Sequence, residues 1–218
     1  MTELLLIRHG ETAWNTAQKL QGHADIPLNA EGTRQAKALA SHLQNEKLHA
    51  IISSDLHRAV QTASEIARLQ GISTRIDSQL RERCFGGFEG IAKAELAHHY
   101  PTEYAQWRSR DPDFHFPAPE GKPNYIGEST REFHHRIITA VNHYAYQFEG
   151  KKIAIVTHGG VLECVYRQAH HLPLNAERKV TLYNASINRF EAQNGALRLL
   201  NWGEITHLQI ELLDELSY

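Results

Sequence analysis

Very little cysteine, no surplus of positive charge and no long apolar run mark this 218-residue sequence. Two cysteines, Cys84 and Cys164, are too few for a disulfide framework, and their spacing fits no zinc motif. Both are expected to be free thiols in a reducing compartment. The formal net charge is −2, so no basic field favours nucleic acid or an anionic membrane surface. Attraction for anions therefore has to be local. The apolar stretch LLLI at residues 4–7 is too short for the core of a signal sequence and follows Glu3 rather than basic residues. Nothing approaches the roughly 20 apolar residues of a membrane-spanning helix. These absences lead to the expectation of a cytoplasmic protein that engages small molecules, with neither nucleic acid nor membrane as partner. The oligomeric state is left open, with a homodimer among the assemblies it allows. No internal repeat or low-complexity segment is present.

What is there is ordinary in bulk: 41% hydrophobic and 22% charged residues, enough to bury one sizeable core in a single domain spanning residues 1–218. The pattern alternates strand and helix. ELLLI reads as a buried strand. The next segment sets Ala36, Leu39, Ala40 and Leu43 at helical spacing behind Asn29 as N-cap. AIIS (50–53) is a second strand, followed by a helix with Val60, Ala63, Ile66 and Ala67 on one face and Gly71 as its stop. A capping box, Ser129 with Glu132, opens a long helix whose stripe is Phe133, Ile137, Ala140, Val141, Tyr144 and Phe148. IAIVT (153–157) is a third strand and runs straight into HGGVLECVYRQA. This order predicts an α/β fold with a mostly parallel sheet covered on both faces. Two regions break the rhythm. Residues 91–128, rich in Pro, Gly, aromatics and charge, are expected to form a small inserted cap with only a short helical stretch near IAKAELAHHY. Asn194-Gly195, between alternating residues, predicts a hairpin of antiparallel edge strands.

Two of the predicted strands end in the same chemistry: LLLI runs into Arg8-His9-Gly10, and IAIVT into His158-Gly159-Gly160. The helix after AIIS carries Arg58 in its first turn, and LRERCFGGFEG adds Glu82 among glycines. Ligands of open α/β sheets bind at the carboxyl ends of the strands, so these groups can converge on one cleft. Glycine after each histidine lets backbone N–H groups approach an anion, and the helix opening at Gly159 offers its positive end. The combination suits a tetrahedral dianion. Neutral imidazole is a nucleophile near pH 7, which makes His9, at a rigid strand end, the candidate nucleophile. Arg8 and Arg58 can fork onto phosphoryl oxygens, a protonated His158 would add a third donor, and Glu82 would serve as general acid and base. Two arginines and a histidine supply the charge, so neither metal nor cofactor is expected.

RHGETAWN, SSDLHRAVQTA, LRERCFGGFEG and VTHGG, taken together and in this order, resemble the four motifs of the histidine phosphatase superfamily in its phosphoglycerate-mutase-like branch. The resemblance runs from residue 3 to about residue 170. It implies a Rossmann-like three-layer α/β/α fold with the cap inserted between the third and fourth motifs. It implies His9 as a phosphohistidine intermediate, Arg8, Arg58, His158 and Gly159 as the phosphate pocket, and Glu82 as proton donor. It further implies that Asn15, Gln21 and Gly22 touch the phosphate or the body of the substrate, a small phosphorylated metabolite.

Three activities follow from the resemblance: hydrolysis of small phosphomonoesters, which is favoured, phosphoryl shuttling as in the cofactor-dependent mutases, and silent sensing of a phospho-ligand. Hydrolysis is favoured because the insert after FEG is short and has no adjacent arginine pair; Arg108 and Arg110 come nearest. Sensing is disfavoured because every catalytic position is intact. Lys93, Arg108, Arg110, Lys122 and Arg131 could meet a second anionic group, although solvated charge is the plainer reading of each. Glu89 is expected to cap a turn, and Glu11 and Thr12 to satisfy backbone groups. His23 and His57 flank motif positions without a clear role, and the His98-His99, His134-His135 and His170-His171 pairs diverge too far on a helix to share an ion.

Overall fold

The protein is described here by a computed structural model covering residues 1–208. Its elements in chain order are β1 (Thr2–Arg8), α1 (Ala13–Thr16), α2 (Ala30–Leu43), β2 (Ala50–Ser53), α3 (His57–Gln70), β3 (Thr74–Ile76), α4 (Leu96–His99), α5 (Pro101–Arg108), α6 (Thr130–Gln147), β4 (Lys152–Thr157), α7 (Gly159–Ala169), β5 (Ile187–Gln193) and β6 (Ala196–Glu204). The strands form one sheet in the order β3-β2-β4-β1-β5-β6. β1 and β2 flank β4 in parallel and β3 continues the parallel run, while β5 and β6 add an antiparallel edge.

Strand periodicity sorts the continuous apolar runs onto two faces. Leu4 and Leu6 of β1, with Ile153 and Ile155 of β4, pack against Phe133, Ile137 and Val141 of α6 and Val161, Leu162 and Val165 of α7. Leu5, Ile7, Ala154 and Val156 face the other way, against Leu39, Ala40 and Leu43 of α2 and Ala59, Ala63 and Ile66 of α3. Each fully buried Leu or Ile side chain contributes about 1.5–3 kcal/mol, which is why both sheet faces need helices. A third cluster forms a small aromatic core between the inserted segment and the loops before it: Leu20, Phe85 and Phe88 meet Leu96 and Phe116, with Tyr100, Tyr104, Trp107 and Phe114 packed around them.

Helix ends follow the predicted signals. The Asn29 side chain accepts the Gly32 N–H, Gly71 closes α3 in the left-handed region, and Ser129 with Glu132 forms the capping box of α6. The Asn194-Gly195 turn has φ of 51° and 79°, the two positive values a two-residue hairpin of this twist requires. Two expectations need correction, and one strand was not foreseen. The inward face of α3 is Ala59, Thr62, Ala63 and Ile66, with Val60 and Ala67 only at its margin. β3, a three-residue and largely exposed edge strand, gave no alternating signal to read. Within residues 91–128 a second helix, α5, starts at Pro101 and buries no side chain fully; its inward face is only Tyr104 and Trp107, too short a stripe for sequence periodicity to mark.

Candidate active site

Sheet register brings the strand ends together. Arg8 pairs with Thr157 and Ser53 with Val156, so the residues that follow β1, β2 and β4 emerge side by side. His9 therefore leaves the sheet next to His158, with ring centroids 5.2 Å apart. The His9 backbone is pinned from both sides. Its N–H donates to Thr157 O at 2.9 Å, and its carbonyl accepts Ala185 N–H and Asn184 Nδ2–H, both at 3.1 Å.

The ring of His9 is fixed as well. Nδ1 lies 2.7 Å from Gly10 O. A carbonyl can only accept, so Nδ1 carries the proton and Nε2 keeps its lone pair whenever the ring is neutral. Burial, then the Arg58 and Arg8 guanidiniums, hold the imidazole well below the ordinary histidine range.

Two buried arginines stand beside it. Arg8 is 2% exposed and donates through Nη1 to Leu182 O. Arg58 is 1% exposed and donates to Ala24 O and Gly22 O at 2.8 Å each. Its Nε–H also reaches Nδ1 of His158 at 3.3 Å. That contact makes Nδ1 of His158 an acceptor and leaves Nε2–H to donate to Ser54 Oγ at 2.8 Å. Burial first, then Arg58 and His9, push His158 well below the ordinary range. With Nδ1 accepting from Nε–H, His158 orients the Arg58 guanidinium.

Glu82 enters from the loop ahead of the cap. Its Oε1 accepts Arg83 N–H at 2.8 Å and its Oε2 accepts Gly160 N–H at 2.9 Å. Loss of hydration raises its carboxyl above the usual range, against the pull of those two N–H groups and of Arg58 and Arg8. One backbone donor at the start of α7 is consequently committed to this carboxyl, not left for an anion as the sequence suggested. Gly160 has to be glycine for this contact, since a Cβ there would lie 2.2 Å from Glu82 Oε1.

Arg8, His9, Gln21, Gly22, Arg58, Glu82 and Gly159 all line one cavity of about 170 Å³. His158 and Asn15, at 0% and 1% exposure, lie one layer beneath it. Asn15 Oδ1 accepts Thr12 N–H, while its Nδ2 is buried without a hydrogen-bond partner among the described residues. Of the five outer cations, Lys93 and Arg110 reach the cavity wall, where Arg110 also meets Glu177 at 3.1 Å. Arg108, Lys122 and Arg131 are exposed elsewhere, Arg131 on Asp113. Glu89 does cap backbone, accepting His23 N–H and Phe85 N–H, and Tyr125 O–H also donates to it. The Glu11 carboxyl accepts from the side chains of Asn29 and Thr16 rather than from backbone groups as expected, and Thr12 caps α1. His57 pairs with Asp25, whereas His23 turns toward the acid loop. Sequence reasoning missed Ser54, although it lies within the SSDLHRAVQTA motif. It also missed Arg83, within LRERCFGGFEG, and Asn184, Leu182 and the lining residues Lys19, Arg167 and Arg178, which no local pattern marks.

Residues 4–205 match the sequence model of the histidine phosphatase superfamily (branch 1). The chain belongs to that superfamily. Among curated relatives, the probable phosphoglycerate mutase GpmB of Yersinia pestis is 35% identical over the whole of both chains. Among solved structures, phosphoserine phosphatase of Entamoeba histolytica superposes with a TM-score of 0.82 at 29% identity, covering 96% of this chain and 100% of that one. Mycobacterial glucosyl-3-phosphoglycerate phosphatase gives 0.76 at 27% identity, covering 92% and 98%. In this superfamily member, segments from all four sequence motifs meet around one cavity at the carboxyl edge of the sheet. No helix among the described residues is long and apolar enough to cross a membrane.

Proposed function

We propose that the chain hydrolyses small phosphomonoesters through a phosphohistidine on His9. The observation that carries this reading is the tautomer lock on His9: Nδ1–H on Gly10 O leaves a neutral Nε2 lone pair on the wall of a cavity also lined by Arg8 and Arg58. Nε2 attacks phosphorus in line as the ester P–O bond breaks, and Glu82 gives its proton to the departing oxygen. The carboxylate then takes a proton from water, whose oxygen attacks phosphorus and breaks the N–P bond. Inorganic phosphate leaves, and Glu82 is protonated again. Arg8 and Arg58 balance the charge on the three phosphoryl oxygens throughout.

The raised Glu82 carboxyl and the lowered His9 imidazole suit one proton donor and one neutral nucleophile at the same pH. Small carboxylated phosphates are the first substrates to try, because the Entamoeba enzyme is described in complex with phosphoserine and with 3-phosphoglyceric acid. Phosphoryl transfer between hydroxyls is the second reading, favoured by the mutase name of the 35%-identical Yersinia relative. Rapid quenching with ³²P-labelled substrate tests both. The proposal expects acid-labile label on the wild type, none on His9→Ala, and free phosphate as product. Label that persists in His9→Ala refutes the His9 assignment, and a positional isomer as the main product selects the mutase.

A further inference from the structure

Three consecutive residues, Gly22, His23 and Ala24, reach both walls of the cavity. The carbonyls of Gly22 and Ala24 hold the Arg58 guanidinium, each at 2.8 Å. Between them, His23 turns to the opposite side. Its backbone N–H donates to Glu89 Oε1 at 2.9 Å, and its ring Nε2 lies 2.9 Å from the carbonyl oxygen of Glu82. That oxygen is an acceptor, so Nε2 carries the ring proton and donates. Gly22 makes the reversal with φ of +51°, and a Cβ there would meet Glu89 Oε1 at 2.1 Å.

The Glu82 carbonyl receives a second donor, Arg136 Nη2, at 3.2 Å. Arg136 also grips Glu128 through Nε and Nη2 at 2.7 Å each, and Glu128 in turn accepts Cys84 N–H at 2.9 Å. Arg136 therefore ties the acid loop to α6 and to the cap side of the fold. Two side chains tie the same loop to the segment gripping Arg58: Glu89, through the His23 N–H, and His23, whose ring is the one that reaches Glu82 itself.

We propose that His23 is a positioning residue for Glu82, fixing the backbone of the acid relative to the Arg58 wall. The inference rests on the reading of Glu82 as the proton donor. A donor that serves only the departing oxygen matters in proportion to that oxygen's basicity, so displacement of Glu82 has a signature that loosened folding lacks. Truncating His23 removes one hydrogen bond and leaves the Gly22 and Ala24 carbonyls, which are backbone, on Arg58.

The test compares kcat/KM for an alkyl phosphate and for p-nitrophenyl phosphate in wild type, His23→Ala, His23→Gln, His23→Asn and Glu82→Gln. Inhibition by inorganic phosphate serves as the probe of the arginine wall. His23→Ala should lose about tenfold or more on the alkyl ester, less than about threefold on the aryl ester, and keep its phosphate Ki. Gln places an amide N–H near the position of Nε2 and should restore the alkyl activity; Asn, one methylene shorter, should not. Equal losses on both esters, a weakened phosphate Ki, or no loss at all would overturn the role of His23. Glu82→Gln separates the two levels. If it shows the leaving-group signature and His23→Ala does not, only the positioning role fails; if Glu82→Gln itself affects both esters equally, the reading of Glu82 as the acid fails first.

Discussion

Replacing Gly160 with alanine should displace the acid while leaving the nucleophile and the arginines in place. The added Cβ would stand 2.2 Å from Glu82 Oε1 and 3.1 Å from both Glu82 Cδ and Phe133 Cε1. Ordinary contact lies near about 3.5 Å, so the carboxyl has to retreat by roughly 1 Å. Phe133 is only 3% exposed and cannot give way instead. The retreat also strains the 2.9 Å bond from Gly160 N–H to Oε2. Misplacing a reacting group by about 1 Å costs on the order of 10²-fold, which is about 2.7 kcal/mol of barrier. The loss should fall on kcat/KM for alkyl phosphates, whose leaving oxygen needs the proton, and should stay below about tenfold for p-nitrophenyl phosphate. A melting curve on the same preparation distinguishes a displaced carboxyl from a poorly folded protein. Alkyl turnover within about threefold of wild type, or equal losses on both esters at an unchanged melting temperature, would refute the reasoning.

Further outcomes follow from the same geometry. His158→Ala strips a partner from Arg58 Nε and from Ser54 Oγ, and a hydrogen bond to a charged group is worth about 1.5–3 kcal/mol. Turnover should fall roughly 10- to 150-fold with phosphohistidine still trapped by rapid quench, and complete loss of label would show that His158 does more than orient Arg58. The pH profile of kcat/KM on an alkyl phosphate should be bell-shaped. Activity falls at low pH as His9 protonates, through a value held below 6.5, and falls at high pH as Glu82 loses its proton, through a value raised above 4.5. Glu82→Gln should abolish the alkaline limb alone; a limb that survives unchanged belongs to the substrate or another group. Vanadate should compete with substrate at the Arg8–Arg58 pocket, and EDTA should leave turnover intact. Activity lost on chelation and restored by Mg²⁺ would contradict a site whose charge comes from arginine.

The sequence alone determined the parts of this protein that local chemistry dictates. LLLI and IAIVT are apolar on both alternating faces, so they had to be central strands with helices on either side. Asn29, Gly71 and the Ser129–Glu132 box marked helix ends because caps are local hydrogen bonds. Arg8, His9 and Arg58 were legible because they end a strand or open a helix within a recognisable motif, and Glu82 because it sits in the glycine-rich LRERCFGGFEG motif. Tertiary structure decided what those residues can do. His158 reads in sequence as a twin of His9, each a strand-end histidine before glycine. Only the fold places Arg58 Nε on its Nδ1 and Gly10 O on the Nδ1 of His9, making one ring an acceptor toward a cation and the other a locked donor. Asn184 reaches the His9 carbonyl across 175 residues of chain, and His23 reaches that of Glu82 across 59. Such contacts leave no trace in local sequence, because they depend on where the sheet register and the loop reversal at Gly22 set two distant backbones, not on the residues beside them.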